Sequence, residues 1–159
     1  MKYRYFDWRD FQKCTPRCQE DQMDEGFMRM LDKARHIAGI PFILNSAYRN
    51  VEWEKAKGRT GTSSHTKGIA VDIACDCSYN RLMIVSALLK VGFKRIGIYE
   101  NFIHVDNDGK KAQCMWLGWL INKERRYIIM FPVEEITAAV IALVSYFLGL
   151  LTKKFRRND

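Results

Sequence analysis

Two short stretches place ionisable side chains inside runs that otherwise read as β-strand: SSHTKGIAVDI at 63–73 and YENFIHVD at 99–106. A charged group in a strand core is costly unless a cation or a strong donor meets it. These two stretches therefore restrict the folds open to the chain more than any other feature does. His65 and Asp72 are seven residues apart. On a straight helix they would share a face but stand roughly 10 Å apart, too far for a single metal ion. On a straight strand they would point to opposite faces. They converge only if the backbone bends between them, and Gly68 is the residue that permits such a bend.

Beyond Gly68 the pattern alternates. Ile69, Val71 and Ile73 fall on one face, and Ala70, Asp72 and Ala74 fall on the other. In the second stretch Phe102, His104 and Asp106 share one face, and Ile103 and Val105 share the opposite, core face. Glu100 has the parity of His104 if the strand is regular. Pairing the two strands brings Asp72 beside His104, with His65 reaching in from the bend. Two imidazoles and a carboxylate suit a catalytic zinc site with one position left open. An Asp–His hydrogen bond without metal satisfies the same spacing.

The remaining sequence predicts a sheet flanked by helices. Residues 23–38 carry a helical stripe of Met23, Phe27, Met30, Leu31, Ala34, Ile37 and Ala38, with Asp21 as the cap and Gly39 as the stop. His36 lies off that stripe and reads as solvated. Strands are expected at Ile40–Tyr48, Arg95–Tyr99 and Asn101–Asp106, and in the apolar run CMWLGWLI. A short helical turn is expected at Glu52–Lys57. A helix begins at Ser78, its cap, with Leu82, Val85 and Leu89 facing inward and Gly92 ending it. The fold class is α+β: a small mixed, mainly antiparallel sheet flanked by helices, plus a C-terminal apolar helix.

Of the 159 residues, 26 are Lys or Arg and 18 are Asp or Glu, giving +8. Much of the excess sits in the last eight residues, TKKFRRND. With no nucleic-acid motif present, an anionic cell-wall polymer or lipid fits this charge better than nucleic acid does. The five cysteines, Cys14, Cys18, Cys75, Cys77 and Cys114, are odd in number and do not suggest a disulfide framework. Their spacing leaves open a second, structural zinc or small buried thiols. The N-terminus lacks the apolar core of a signal peptide. Residues 136–151, ITAAVIALVSYFLGLL, form sixteen uncharged residues followed by Lys153, Lys154, Arg156 and Arg157. As a helix they would cover about 24 Å, short of the roughly 30 Å hydrocarbon layer unless the flanking basic side chains snorkel. The expected organisation is a body at 1–121, a connector at 122–135, and an apolar helix with a basic tail at 136–159 making membrane contact through 136–157.

SSHTKGIAVDI resembles the SxHxxGxAxD signature of the zinc D-alanyl-D-alanine peptidase family. FIHVD resembles the second motif of its carboxypeptidase branch, and SAYR at 46–49 is similar to the family's SGYR element, with Ala47 in the glycine position. The resemblance spans about residues 3–120, with the motifs in the family's order. It implies the hedgehog/DD-peptidase fold and one zinc per chain held by His65, Asp72 and His104. It further implies Arg49 gripping a substrate carboxylate, and Ser63 bonding substrate or orienting a ligand. Small peptidases of this form occur in bacteriophages.

The implied function is zinc-dependent hydrolysis of peptide bonds in peptidoglycan stem peptides, as a D,D-carboxypeptidase or an L-alanyl-D-glutamate-type endopeptidase, in cell-wall degradation or phage lysis. The expected partners are those stem peptides, with the chain acting as a monomer and without nucleic acid. It would be cytoplasmic or attached to the membrane by its tail until it reaches the wall. Many members carry an acidic base three residues before the last ligand, but this chain has Asn101 there. Glu100 and Asp106 are the two candidates for the missing role. Two other readings remain: a catalytically silent zinc module that binds peptide, as the hedgehog signalling domain illustrates, and a membrane-perturbing tail protein. Trp116 is expected mainly in the core, Trp53 is a candidate substrate contact, and Lys57, Arg59 and Lys67 surround the entrance.

Overall fold

A computed structural model describes residues 2–118. The connector, Trp119 and the apolar tail expected at 136–159 lie outside the described residues. Among the described residues no helix is long and apolar enough to cross a membrane.

Among the described residues four α-helices, α1 (Trp8–Gln12), α2 (Glu25–Ala38), α3 (Val51–Ala56) and α4 (Ser78–Lys90), accompany five strands, β1 (Leu44–Ser46), β2 (Ala70–Ala74), β3 (Arg95–Ile98), β4 (Phe102–Asp106) and β5 (Cys114–Leu117). Short 3-10 turns occupy Glu20–Gln22 and Ser64–Lys67. The sheet runs β1-β2-β4-β3-β5, antiparallel throughout except for the parallel β3–β5 pair. This is the mixed, mainly antiparallel α+β body that the pattern predicts.

Period-two alternation divides the sheet into two faces. Val71, Ile73, Ile96, Ile103 and Val105 are fully buried. They join one apolar core with Phe27, Met28, Leu31 and Ala34 of α2 and Ile84, Ala87 and Leu88 of α4. Phe27 meets Phe93 edge-on at 5.5 Å between ring centres. The opposite face of β2, β3, β4 and β5 carries Asp72, Gly97, His104, Asp106 and Trp116.

Several local expectations are corrected. Helix α2 is capped by Asp24, whose carboxylate accepts the Phe27 N–H at 2.7 Å, and Asp21 lies in the preceding 3-10 turn. The stop at Gly39 holds, with φ of 66°. Helix α4 is capped by the Cys77 sulfur, which accepts from the Asn80 N–H, and Ser78 is its first residue. Its fully buried residues are Ile84, Ala87 and Leu88, the expected Val85 and Leu89 pack against the core beside them, and Leu82 is 63% exposed. The helix is apolar on more than one side, so its sequence period alone does not choose the buried face. The strand expected at Ile40–Tyr48 shrinks to Leu44–Ser46, and its ladder to β2 shifts register between Leu44 and Ser46.

The bend expected at Gly68 is present and has two causes. Its φ is +69°, a conformation that L side chains rarely adopt, and a Cβ there would stand 2.3 Å from the Gln22 carbonyl oxygen. The Asp24 N–H also bonds the Gly68 carbonyl at 2.9 Å. The start of α2 is thus fastened to the bend that sets His65 against Asp72.

Candidate metal centre

Strand β2 pairs with β4 so that Asp72 stands directly opposite His104. His65 projects from the 3-10 turn Ser64–Lys67, just before the bend. His65 Nε2 lies 3.4 Å from Asp72 Oδ1, His104 Nδ1 lies 2.9 Å from the same oxygen, and the two nitrogens are 3.3 Å apart. Ligands bonded to zinc at 2.0–2.2 Å in a tetrahedron would be separated by about 3.4 Å, so the three atoms already stand near the spacing one ion requires. Among the described residues this is the one group of three or more His, Cys, Asp or Glu side chains within reach of a common ion. All five cysteines are free thiols, four of them buried, and they form no such group.

The surrounding hydrogen bonds define what the three atoms offer. The Ala47 carbonyl can only accept, so His65 Nδ1–H donates to it at 2.7 Å and Nε2 turns its lone pair inward. His104 Nε2–H donates to Asp106 Oδ2 at 2.9 Å, which turns Nδ1 inward. Asp72 gives Oδ2 to the Arg49 guanidinium and leaves Oδ1 facing the nitrogens. Two lone pairs and an anionic oxygen meet at one point, an arrangement that repels itself without a positive charge. The residues therefore fit a divalent cation, and this donor set of two imidazoles and a carboxylate suits zinc.

The protonation tendencies agree with that reading. Burial opposes charge on Asp72, yet the two imidazoles that face it hold its carboxyl well below the usual range. Burial also disfavours a charged His104, but Asp106 and Asp72 outweigh it and raise its affinity for a proton. His65 goes the other way, kept neutral chiefly by desolvation.

The SAYR element supports both limbs of the site. The Arg49 N–H bonds the His65 carbonyl at 3.3 Å, and the Ala47 carbonyl receives the His65 ring. Arg49 itself is buried, with Nε on Ser46 Oγ at 2.8 Å, one terminal nitrogen on Glu54 Oε1 at 3.1 Å and the other on Asp72. Two of its five N–H groups are left over. Ser63 has a buried Oγ with no hydrogen-bond partner among the described residues.

Asp106 is buried and fully engaged. Oδ1 accepts from Arg95 Nε and from the Asp108 N–H, both at 2.9 Å, while Oδ2 holds His104. Glu100 stands exposed on the β3–β4 turn, outside the strand, and its backbone carbonyl accepts from Arg81 at 2.7 Å. Lys67 bonds Asp108 at 2.7 Å, and Lys57 and Arg59 stand over the Trp53 ring, as does Arg49.

Three contributors escaped the sequence reading. Glu54 is buried at 1% exposure inside the short polar helix that the sequence places at Glu52–Lys57. Gly97 lies in register with both His104 and Trp116, and a Cβ on it would stand 2.6 Å from the Trp116 ring. Its missing side chain lets the indole approach His104 across β3, with 5.6 Å between ring centres. Trp116 is accordingly half-buried beside the metal centre, and its Nε1–H donates to the Tyr99 hydroxyl at 3.2 Å. The glycine within RIGIY was the available signal. Asp108, buried at 3% exposure, is the third.

Two imidazoles and a carboxylate on the polar face of a mixed sheet match the donor set of a three-ligand metal centre. A family model described as Peptidase M15 matches residues 5–106, well over half of the chain. The chain belongs to the peptidase M15 family, the zinc D-alanyl-D-alanine carboxypeptidase-like metallopeptidases that act on peptidoglycan. No curated protein matches it.

Proposed function

We propose that this chain is a zinc peptidase that hydrolyses a peptide bond in peptidoglycan stem peptides, as a D,D-carboxypeptidase or an L-alanyl-D-glutamate-type endopeptidase. The observation that carries the proposal is the convergence of His65 Nε2, Asp72 Oδ1 and His104 Nδ1 within 3.4 Å of one another. Zinc held there supplies Lewis acidity toward the scissile carbonyl and toward water.

The protein's own groups divide the remaining work. Asp106 holds the His104 ring in the tautomer that aims Nδ1 at the centre. Glu100 is our choice for the group that moves the proton. It is exposed on the turn beside β4, whereas both oxygens of Asp106 are already occupied. The unpartnered Ser63 hydroxyl and the two unused N–H groups of Arg49 are suited to the substrate's polar end. Lys57 and Arg59 add positive charge that favours an anionic stem peptide. The chain would act as a monomer on the cell wall, in lysis of the phage type, with residues 136–157 providing membrane contact.

The test measures zinc per chain and release of stem-peptide fragments from purified peptidoglycan for the wild type, Glu100→Gln and Asp106→Asn. One zinc per chain with cleavage abolished in Glu100→Gln and only weakened in Asp106→Asn is the expected result. The reverse order would transfer the base role to Asp106. One zinc with no cleavage by the wild type would favour a silent peptide-binding module.

A further inference from the structure

Among the described residues Glu54 is the most deeply buried acidic side chain outside the metal ligands and their direct partners, and hydrolysis assigns it no role. Its Oε1 accepts from Arg49 at 3.1 Å and from Arg59 at 3.3 Å, and its side chain is 2% exposed. A carboxylate is rarely buried so completely unless it is paired. The pairing continues inward: the Arg49 nitrogen that does not meet Glu54 meets Asp72 Oδ2. Arg59, half exposed at the outer end, connects the chain of charges to solvent.

Alternation of sign along Arg59, Glu54, Arg49 and Asp72 has a consequence for the ligand. Arg49 by itself is a full positive charge placed against the carboxylate that must bind a dication. It would draw electron density away from Asp72 and repel the metal at short range. Glu54 offsets that charge while still using Arg49 as a rigid fork. Ser46, Glu54 and Asp72 each engage a different guanidinium nitrogen, which fixes the plane of the group. With Oδ2 held in that plane, Asp72 presents Oδ1 alone to the two imidazoles.

We infer that Glu54 is a positioning residue of the metal centre, acting through Arg49 to hold Asp72 as a single-oxygen ligand. The inference rests on the His65–Asp72–His104 metal site proposed above. It concerns a residue that touches neither metal nor substrate, so metal affinity, rather than turnover alone, is the quantity that reveals it.

The experiment titrates the full-length metal-free protein with zinc against a chromophoric chelator, and with cobalt(II) followed by its visible absorption. It compares wild type, Glu54→Gln, Arg49→Gln and the Arg49→Gln/Glu54→Gln double variant, with His104→Ala as the control for the site. Glu54→Gln should weaken zinc binding roughly 10–100-fold, as loss of outer partners does at other metal sites, and should alter the cobalt band. In the Arg49→Gln background the same change should cost nothing further, because the charge it balances is gone. If Glu54→Gln does not fold, Glu54→Asp, which keeps the charge but shortens its reach to Arg49, takes its place: a weaker zinc affinity that disappears in the Arg49→Gln background supports the inference, and wild-type affinity overturns it. Wild-type affinity in a folded Glu54→Gln, or an equal loss in both backgrounds, would overturn the inference. Zinc binding by the wild type that survives His104→Ala unchanged would overturn the metal site itself, and the role of Glu54 with it.

Discussion

Asp72 and Asp106 sit on neighbouring strands, both buried, both bonded to His104 and both met by an arginine, yet they end in different chemical states. Asp72 spends Oδ2 on Arg49 and keeps Oδ1 for the centre. Asp106 spends Oδ1 on Arg95 and the Asp108 N–H, and Oδ2 on the far nitrogen of His104. The ladder sets this difference. Asp72 faces His104 across β2–β4, whereas Asp106 lies one same-face step along β4, opposite Ala70 on one side and Arg95 on the other. A displacement of two residues turns a metal ligand into a group that aims one. Burial and charge are shared by the two carboxylates; the number of uncommitted oxygens separates them.

The largest effect should come from Asp72→Ala. With one of three ligands gone, zinc per chain after dialysis should fall to near zero and stem-peptide cleavage with it. Retention of stoichiometric zinc would break the comparison at its base. Asp106→Asn should be milder, weakening zinc binding or turnover about 10–100-fold with the metal still bound in excess zinc. A loss as complete as that of Asp72→Ala would show that Asp106 does more than orient a ring.

Gly97→Ala probes the other constraint on His104, the indole lying across β3. The added Cβ meets the Trp116 ring, so we expect roughly 1–3 kcal/mol of destabilisation by denaturant titration and a changed tryptophan emission. An unchanged midpoint would mean that Trp116 moves away freely.

The smallest effect is an acid-stability effect at Asp108, a buried carboxylate paired with Lys67. Burial alone would raise its pKa, but the Lys67 hydrogen bond and its neighbours lower it from 3.8 to about 2. The folded state therefore binds fewer protons than the unfolded state between these values. The associated stability is fully present above about pH 4 and is lost as pH falls through about 2. Asp108→Asn should remove this part of the acid dependence, about 1 kcal/mol because solvent screens Lys67 and Lys111. Melting temperatures measured from pH 5 to 2 would check it, and an unaltered slope would count against the pairing.

The β2 and β4 faces were legible because a strand's side chains alternate with a fixed period, so Asp72 and His104 could be assigned to one surface before any pairing was known. The bend was legible because only glycine commonly takes a positive φ, and Gly68 does so. Where the period was weak the reading drifted, as at Leu82, which is exposed while Ile84 and Leu88 are buried. The burial of Glu54 was not legible in the turn expected at Glu52–Lys57, since nothing in the local sequence announces that Arg49 and Arg59 will enclose it.

The sequence by itself determined the bend, the two faces of the central strands, and the residue types available to hold a cation. The local rules behind these are steric and periodic, and they act over a few residues. Only the tertiary structure decided which carboxylate keeps an oxygen free, which arginine is committed to which acid, and that Trp116 could lie beside His104 over a glycine. Those outcomes depend on distances between residues tens of positions apart, and both Coulomb interactions and hydrogen bonds are fixed by distance in space rather than separation along the chain.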